Sequence, residues 1–518
     1  MQYLKNLLLI CLTIILISSC RGKTIITSLP RSTPEEEGVS SEAVLKFVEA
    51  ADKNVNEIHS FMFLRHGKVI AEGWWHPYRP DLKHTMYSLS KSITSTAVGF
   101  ATSEKQLAVN DRVTSFFPYE VPETLSAKLF RMTVKDLITM SAGQEYDPTY
   151  KVMGNRGSWV NTFLRTPVLN EPGTKFLYNS LATYMLSAIV QKVTGQKVID
   201  YLTSRLFEPL QITGADWEES TQGVSTGGWG LRLKTEDIAK VGQLYLQKGF
   251  WNGKQLLPRE WIEEATSFKI DQAPGARQEV KDSSDWMQGY CYQFWRCRYN
   301  AYRGDGAFGQ FMIIMPDQDA VIVMTSETED MQKELNLVWK YLLPAMSNEK
   351  FSPNNKALSE LNQKLSDLAL PIYQKSESST LEKEISGKRY DFKPNGSHIQ
   401  SIRLNFSDTL VSFFLKKDNT DYQLGFTHGD WHFSETELPG PNLLPNNNPD
   451  MLRPYKVAGS YTWLDNNSIE LTLRYIESPH TETITCIFLD DKVGISMKNI
   501  FNMNKIVPLT EGFIADKQ

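Results

Sequence analysis

Ser88 and Lys91 stand three residues apart in Tyr87-Ser88-Leu89-Ser90-Lys91, which leads into a run of small residues, SITSTAVGFA. On a helix that spacing puts the hydroxyl and the amine on one face, a turn apart and close enough to share a proton. A nucleophile then stands beside a base. A helix amino terminus adds unpaired N–H groups and a partial positive charge, which favour the negative oxygen that forms when a serine attacks a carbonyl. The chemistry this pair supports is serine acyl transfer, which also needs a pocket, a second proton carrier and an oxyanion site.

A candidate for the second carrier is Tyr178, in the stretch EPGTKFLYNS that runs from Glu171 to Ser180. Pro172-Gly173 makes a turn, and Tyr178 falls at the entry to an amphipathic helix, where a phenol can point into a cleft. A phenol can relay a proton between serine and leaving group if a nearby ammonium lowers its pKa. A core tyrosine is the plain alternative. The S-x-x-K pattern recurs from Ser347 to Lys350 in a polar stretch, and no function is attached to that copy. Gly223-Val224-Ser225-Thr226-Gly227 matches G-x-S-x-G, whose elbow needs a buried strand before it and a helix straight after. Here DWEESTQ precedes, GWGLRL follows, and no histidine lies between His84 and His398 to complete a triad. Ser225 therefore reads as a loop residue. His59, His66, His76 and His84 lack metal-ligand spacing and read as structural or surface residues. Trp74, Trp75 and the aromatics at 290–295 read as core or cleft wall, with Trp295 a candidate for the cleft.

The elements that must position these groups follow from periodicity. A helix is expected from Ser41 to Asp52, two strands from Ile58 to Trp75 with a turn at 65–68, and a helix from Ser88 to about Thr102. Helical patterns continue through MTVKDLITMSAG, through SLATYMLSAIVQKVTG with Gly195 as its stop, and through TEDIAKVGQLYLQKG and WNGKQLLPREWIEEATS. Strands return at Gly289–Arg298, Ala307–Met315 and Ala320–Thr325. Strands, then helices, then strands predict an α/β (α+β) domain over 40–350, with a mixed, mainly antiparallel sheet and a helical subdomain inserted between its halves. A polar linker is expected at 351–384. A separate β domain follows at 385–518, a small barrel or sandwich, from the alternation of Ile469, Leu471 and Leu473, of Ile484, Cys486 and Phe488, and of Val493, Ile495 and Met497.

The chain of 518 residues, 41% hydrophobic, has room for such domains, and its net charge of -5 without a basic stripe speaks against nucleic acid as a partner. Residues 1–20 read as a targeting segment: Lys5 precedes an apolar run from Leu7 to Ile17, long enough for a signal peptide and too short to span a bilayer. It ends in Ile17-Ser18-Ser19-Cys20, which resembles the lipobox of bacterial lipoproteins. Lipidation at Cys20 is therefore expected, with the protein anchored to a membrane of the cell envelope on its periplasmic or surface face; an ordinary secretory signal is the alternative. Residues 21–39 read as the tether. Without Cys11 and Cys20, three cysteines remain; Cys291 and Cys297, on one continuous strand, would lie about 20 Å apart, too far for a disulfide. Neither a disulfide, a metal site nor a cofactor is expected.

YSLSKSITSTAVG and EPGTKFLYNSLATYML resemble the first and second motifs of the serine β-lactamase-like superfamily, which includes class C β-lactamases, D-Ala-D-Ala carboxypeptidases, family VIII carboxylesterases and 6-aminohexanoate-dimer hydrolases. TVKDLITMSAG, GGWGLRLKTEDIAKVGQLYLQKGFWNGKQLLPREW and YRGDGAFGQFMIIMPDQDAVIVMTS extend the likeness over roughly residues 31–345. The resemblance implies a β-lactamase/transpeptidase-like catalytic domain, Ser88 as nucleophile, Lys91 and Tyr178 as its partners, and an oxyanion hole from the backbone N–H groups of Ser88 and Ala307. It implies substrate contacts at Ser180 and at Gly304, Asp305 and Gly306. Two departures matter. Ser180 stands where the family often has an amide, and Gly304-Asp305-Gly306 replaces a K-T-G-type motif, so the cation that would hold a β-lactam carboxylate is missing. Together with Gly309-Gln310, which resembles the amide-hydrolase branch, this points to small-molecule esters or amides without charge. A penicillin-recognising peptidase or β-lactamase is one alternative reading, and a catalytically idle binding or sensing protein is another. Whether Lys91 or a tyrosinate at Tyr178 is the base stays open at this level.

Overall fold

Ile58–Arg65 is buried at every residue, and its alternating side chains feed two cores on opposite faces of one sheet. Met62 and Leu64 join a cluster shared with the helical subdomain, whereas Phe61 and Phe63 join a second cluster with Val44, Phe47 and Trp339. In the computed structural model, residues 28–154, 156–444, 452–505 and 507–515 are described. The targeting segment with Cys11 and the expected lipid site Cys20 lie outside the described residues.

The sheet runs in the order Lys68–Trp74, Ile58–Arg65, Ala320–Ser326, Gln310–Met315, Tyr302–Gly306, Trp295–Arg296, each neighbouring pair antiparallel. Its halves come from the two ends of the domain, with the helices inserted between. The helix Ser90–Ser103 is buried from Ser90 to Ala101, and its small side chains let neighbours approach closely. At Gly99 an added Cβ would meet the Trp261 indole at 2.3 Å. Ser180–Thr194 packs against it and ends at Gly195, whose φ of 71° accepts the left-handed cap.

One expected strand is present only at its end. Only Trp295–Arg296 is a strand within 289–298, because the Cys291 N–H closes a turn onto the Phe294 carbonyl at 2.8 Å around Gln293, whose φ is 61°. Gln293 is buried there and donates to the Ile138 carbonyl at 2.8 Å, so the aromatic run wraps a polar plug instead of extending. Cys291 and Cys297 are free and buried.

The described part of the expected tether lies against the domain: Leu29 and Val39 are buried, and Arg31 pairs with Glu72 and Glu236. Within the expected linker, the helix Asn355–Ser366 places Leu361 in the second core, joined there by Leu368. The carboxy-terminal domain is a closed nine-strand barrel from Arg389 to Ile514. Thr427 and His428 pair in parallel with Ser460 and Tyr461 to close it, and His432–Thr436 adds to the rim. The alternating Ile469, Leu471, Leu473, Ile484, Cys486, Phe488, Val493 and Ile495 fill its interior. Among the described residues no helix is long and apolar enough to cross a membrane.

Candidate active site

Tyr87–Leu89 forms a tight 3-10 turn that runs into the helix Ser90–Ser103, so Ser88 lies two residues before the helix proper and Lys91 within its first turn. Lys91 Nζ lies 3.0 Å from Ser88 Oγ and 3.1 Å from Ser180 Oγ, and donates to the Gly228 carbonyl at 2.8 Å. Ser88 is half-buried while Lys91 is 2% exposed. Among the described residues no carboxylate comes within ion-pair distance of that ammonium. Burial pushes its pKa down to about 7, opposed in part by the more distant Asp147 and Asp305. A large fraction of the amine is therefore free at neutral pH and able to take a proton from Ser88.

Tyr178 precedes the helix Ser180–Thr194, and its ring lies 4.8 Å from Lys91 Nζ. Burial, with the Asp305 charge nearby, raises the phenol well above its usual range, and a hydrogen bond with Ser88 offsets this only in part. The phenol is thus protonated at working pH. Trp295 stacks on Tyr178 with centroids 5.7 Å apart, which places the candidate tryptophan in the cleft wall. Asn179 serves the fold: its side chain caps the helix at the Ala182 N–H and donates to Gln144 Oε1.

The cleft, roughly 430 Å³, is lined by Ser88, Tyr178, Ser180, Asp305, Gly306 and Ala307 together with tryptophans 229, 286 and 295. Ser88 and Ala307, the two backbone positions expected to bind the oxyanion, thus face one space. Gln310 pins the Ala307 turn by donating to the Ala307 carbonyl at 3.0 Å and to the Ser326 carbonyl at 2.8 Å.

Gly304 is not among the lining residues. It and Gly306 let the strand Tyr302–Gly306 lie against the Ser88 turn: a Cβ on Gly304 would meet Ser92 Oγ at 2.6 Å, and one on Gly306 the Met86 carbonyl at 2.1 Å. Asp305 does reach the cleft, where Arg303 holds it through two nitrogens at 2.9 Å. Arg303 is itself fully buried and also donates to the Asp285 carbonyl at 2.7 Å. No described Lys or Arg side chain lines the cleft.

Residues outside the first and second motifs also contribute. Asp147 accepts the Ser180 N–H at 3.1 Å and places a carboxylate at the cleft, Gly228 supplies the carbonyl for Lys91, and Leu443 and Leu444 reach in from the carboxy-terminal domain. Ser225 and the second S-x-x-K at Ser347–Lys350 do not line it. His59 and His84 are buried beside the barrel, 3.1 Å apart, while His66 pairs with Glu37.

The 6-aminohexanoate-dimer hydrolase of Paenarthrobacter ureafaciens is 26% identical over 321 residues, 58% of this chain and 80% of that protein. A protein of Escherichia coli (strain K12) described as "Putative D-alanyl-D-alanine carboxypeptidase" is 29% identical over 143 residues, 25% of this chain and 33% of that one. The solved structure described as "Putative 6-aminohexanoate-dimer hydrolase from Bacillus anthracis" shares the fold, with a TM-score of 0.50 at 21% identity over 60% of this chain and 84% of that chain. The family model described as Beta-lactamase matches residues 58–345, more than half of the protein, and the chain therefore belongs to that family of serine β-lactamase-like hydrolases.

Proposed function

We propose that this protein is a serine hydrolase that cleaves uncharged small-molecule esters or amides through an acyl-enzyme. The observation that carries the reading is the buried Lys91 amine 3.0 Å from Ser88 Oγ. Ser88 gives its proton to Lys91 and attacks the carbonyl carbon, and the tetrahedral oxygen is held by the backbone N–H groups of Ser88 and Ala307. Tyr178 donates its proton to the leaving group and is reprotonated from the Lys91 ammonium. Water then attacks the acyl-enzyme with the same groups acting in reverse. Lys91 is the base in this scheme, since burial favours its neutral form and also keeps Tyr178 protonated.

Charge at the cleft supports the substrate class. Asp147 and Asp305 put carboxylates at its edge, and no described cation lines it to hold an anionic substrate. The 6-aminohexanoate-dimer hydrolase relative fits an amide or ester bond better than a β-lactam. Anchoring at the cell envelope through a lipid on Cys20 belongs to the same proposal and rests on the leader sequence; incorporation of labelled palmitate that persists in Cys20→Ala would remove it.

The test is a fluorophosphonate label followed by a panel of short acyl esters, amides and a chromogenic cephalosporin. Labelling that disappears in Ser88→Ala, with esters or amides turned over faster than the cephalosporin, is expected. Labelling that persists in Ser88→Ala overturns the nucleophile. No labelling of the wild type makes the chain a binding protein, and a preference for the cephalosporin makes it a penicillin-recognising enzyme.

A further inference from the structure

The two backbone positions assigned to the oxyanion, Ser88 and Ala307, have strained neighbours. Tyr87 has φ 44° and Phe308 φ 66°, backbone conformations that bulky residues rarely adopt. Such geometry persists only where surrounding contacts enforce it. Both neighbours meet one side chain, and it comes from the barrel.

That side chain is His480, in the connection between the barrel strands Ser468–Tyr475 and Thr481–Leu489. It is fully buried. Its Nε2 makes a short hydrogen bond with the Tyr87 hydroxyl, and its ring meets Phe308 edge-on with centroids 5.1 Å apart. Phe501, also from the barrel, packs against both Phe308 and His480. On the far side, His480 Nδ1 lies 2.5 Å from Glu327 Oε1, just past the central strand Ala320–Ser326. A second barrel segment reaches the same hydroxyl. Tyr87 donates to Asn442 Oδ1 at 3.2 Å and accepts the Leu443 N–H at 3.4 Å, while Leu443 and Leu444 line the cleft.

The polarity of the chain is consistent. With the Tyr87 hydroxyl donating to Asn442, His480 Nε2–H donates to Tyr87, which leaves Nδ1 to accept from the Glu327 carboxyl. Burial holds the imidazole neutral, its pKa down to about 3, and keeps the carboxyl protonated, its pKa up to about 9.

We propose that the barrel is a working part of the catalytic centre, with His480 a positioning residue that holds Tyr87 and Phe308 and so aligns the backbone N–H groups of Ser88 and Ala307. This rests on the acyl-enzyme reading above. The barrel then does more than cover an interface: it completes the geometry in which the oxyanion is bound, and its Leu443–Leu444 segment is placed by the same tyrosine hydroxyl.

The test uses the full chain carrying Tyr87→Phe, His480→Ala, His480→Gln and the double variant Tyr87→Phe/His480→Ala. The readouts are kcat and KM for p-nitrophenyl butyrate, the rate of fluorophosphonate labelling, and the melting temperature. Misplacing oxyanion donors without deleting them is expected to lower kcat and the labelling rate roughly tenfold or more in Tyr87→Phe and in His480→Ala, with KM within about twofold. The double variant falls no further than the weaker single one, because the two groups act as a unit. Gln, whose amide can still donate to Tyr87, restores part of the rate. Variants that melt lower but keep the wild-type kcat overturn the proposal and leave His480 a packing residue. Tyr87→Phe removes a single oxygen, so it decides the matter even if His480→Ala does not fold. Wild type and Ser88→Ala separate the two levels: labelling lost in Ser88→Ala but unchanged in Tyr87→Phe sinks this inference alone, and a wild type that does not label sinks both.

Discussion

Ser88 and Ser225 each sit in a short pattern associated with nucleophilic serines, and the structure puts them in opposite environments. Ser88 opens on the cleft with an amine 3.0 Å from its oxygen and a phenol beside it. Ser225 is fully buried, its Oγ without a hydrogen-bond partner among the described residues. The chain after it turns into the strand Leu231–Leu233 and not into a helix, so no helix amino terminus stands behind that hydroxyl. Yet the second pattern serves the first. Its last glycine and the next bring the loop against the helix Ser90–Ser103: the Gly227 carbonyl accepts Thr94 at 2.8 Å, and the Gly228 carbonyl accepts Lys91 at 2.8 Å. What distinguishes Ser88 from Ser225 is a neighbouring partner able to accept its proton, and the glycines around a serine can be present for packing alone.

The largest expected effect comes from removing that acceptor while keeping its charge. A guanidinium is not deprotonated in proteins, so Lys91→Arg leaves Ser88 beside a cation that cannot take its proton. Ester turnover should fall roughly 10²- to 10⁴-fold. The wild-type enzyme should show the matching pH dependence. Burial brings the Lys91 pKa down to about 7, so the free amine is the majority form above that pH and kcat/KM should drop on acidification through it. A wild-type profile flat from about pH 5 to about pH 9 would remove Lys91 as the base and with it the contrast between the two serines.

An intermediate effect is expected where the two patterns touch. A Cβ at Gly228 would lie 2.9 Å from the Ser180 carbonyl oxygen and 3.6 Å from Lys91 Nζ. Backbone atoms there must shift, and the carbonyl that holds the amine shifts with them. Gly228→Ala should lower kcat about tenfold and cost about 1–3 kcal/mol of stability, read by ester kinetics and urea unfolding. Wild-type kinetics in a destabilised variant would show that the Gly228 carbonyl does not place Lys91.

That Ser88, Lys91 and Tyr178 meet was legible because their relations are local or sit in recognisable surroundings: two residues three apart on one turn, and a tyrosine at a helix entry. The barrel was legible through period-two alternation, whose apolar members all turn inward or partly so. Asp147 and His480 left no local signal. His480 lies 393 residues from the tyrosine it holds, and nothing in the spacing of a chain encodes which loop of one domain will enter another. The aromatic run at 290–295 read as a strand because a buried turn and a buried strand share the same apolar composition; Gln293 was the one residue that marked the difference. In the linker, the polar composition concealed the apolar stripe of Leu358, Leu361 and Leu365, spaced three and four apart as a helix requires. Gly304 and Gly306 read as substrate contacts; Gly306 lines the cleft and Gly304 does not, and the missing side chains of both let a strand approach the Ser88 turn.

The smallest expected effect is at Ser225, and it tests the comparison from its quiet side. The hydroxyl is buried without a partner, so the folded state carries the cost of desolvating it and gains no hydrogen bond in return. Removing it should be neutral or stabilising by up to about 1 kcal/mol, because the Ser225 backbone carbonyl, which accepts Ser187 at 2.7 Å, stays in place. Kinetics should remain within about twofold of wild type, and fluorophosphonate labelling should be unchanged. An elbow nucleophile predicts the reverse: labelling would vanish in Ser225→Ala and survive in Ser88→Ala. Both variants delete one oxygen from a serine of the same domain, so a general loss of folding cannot produce that crossed pattern. It would move the reacting serine out of the cleft and leave the Lys91 amine without a substrate-facing partner.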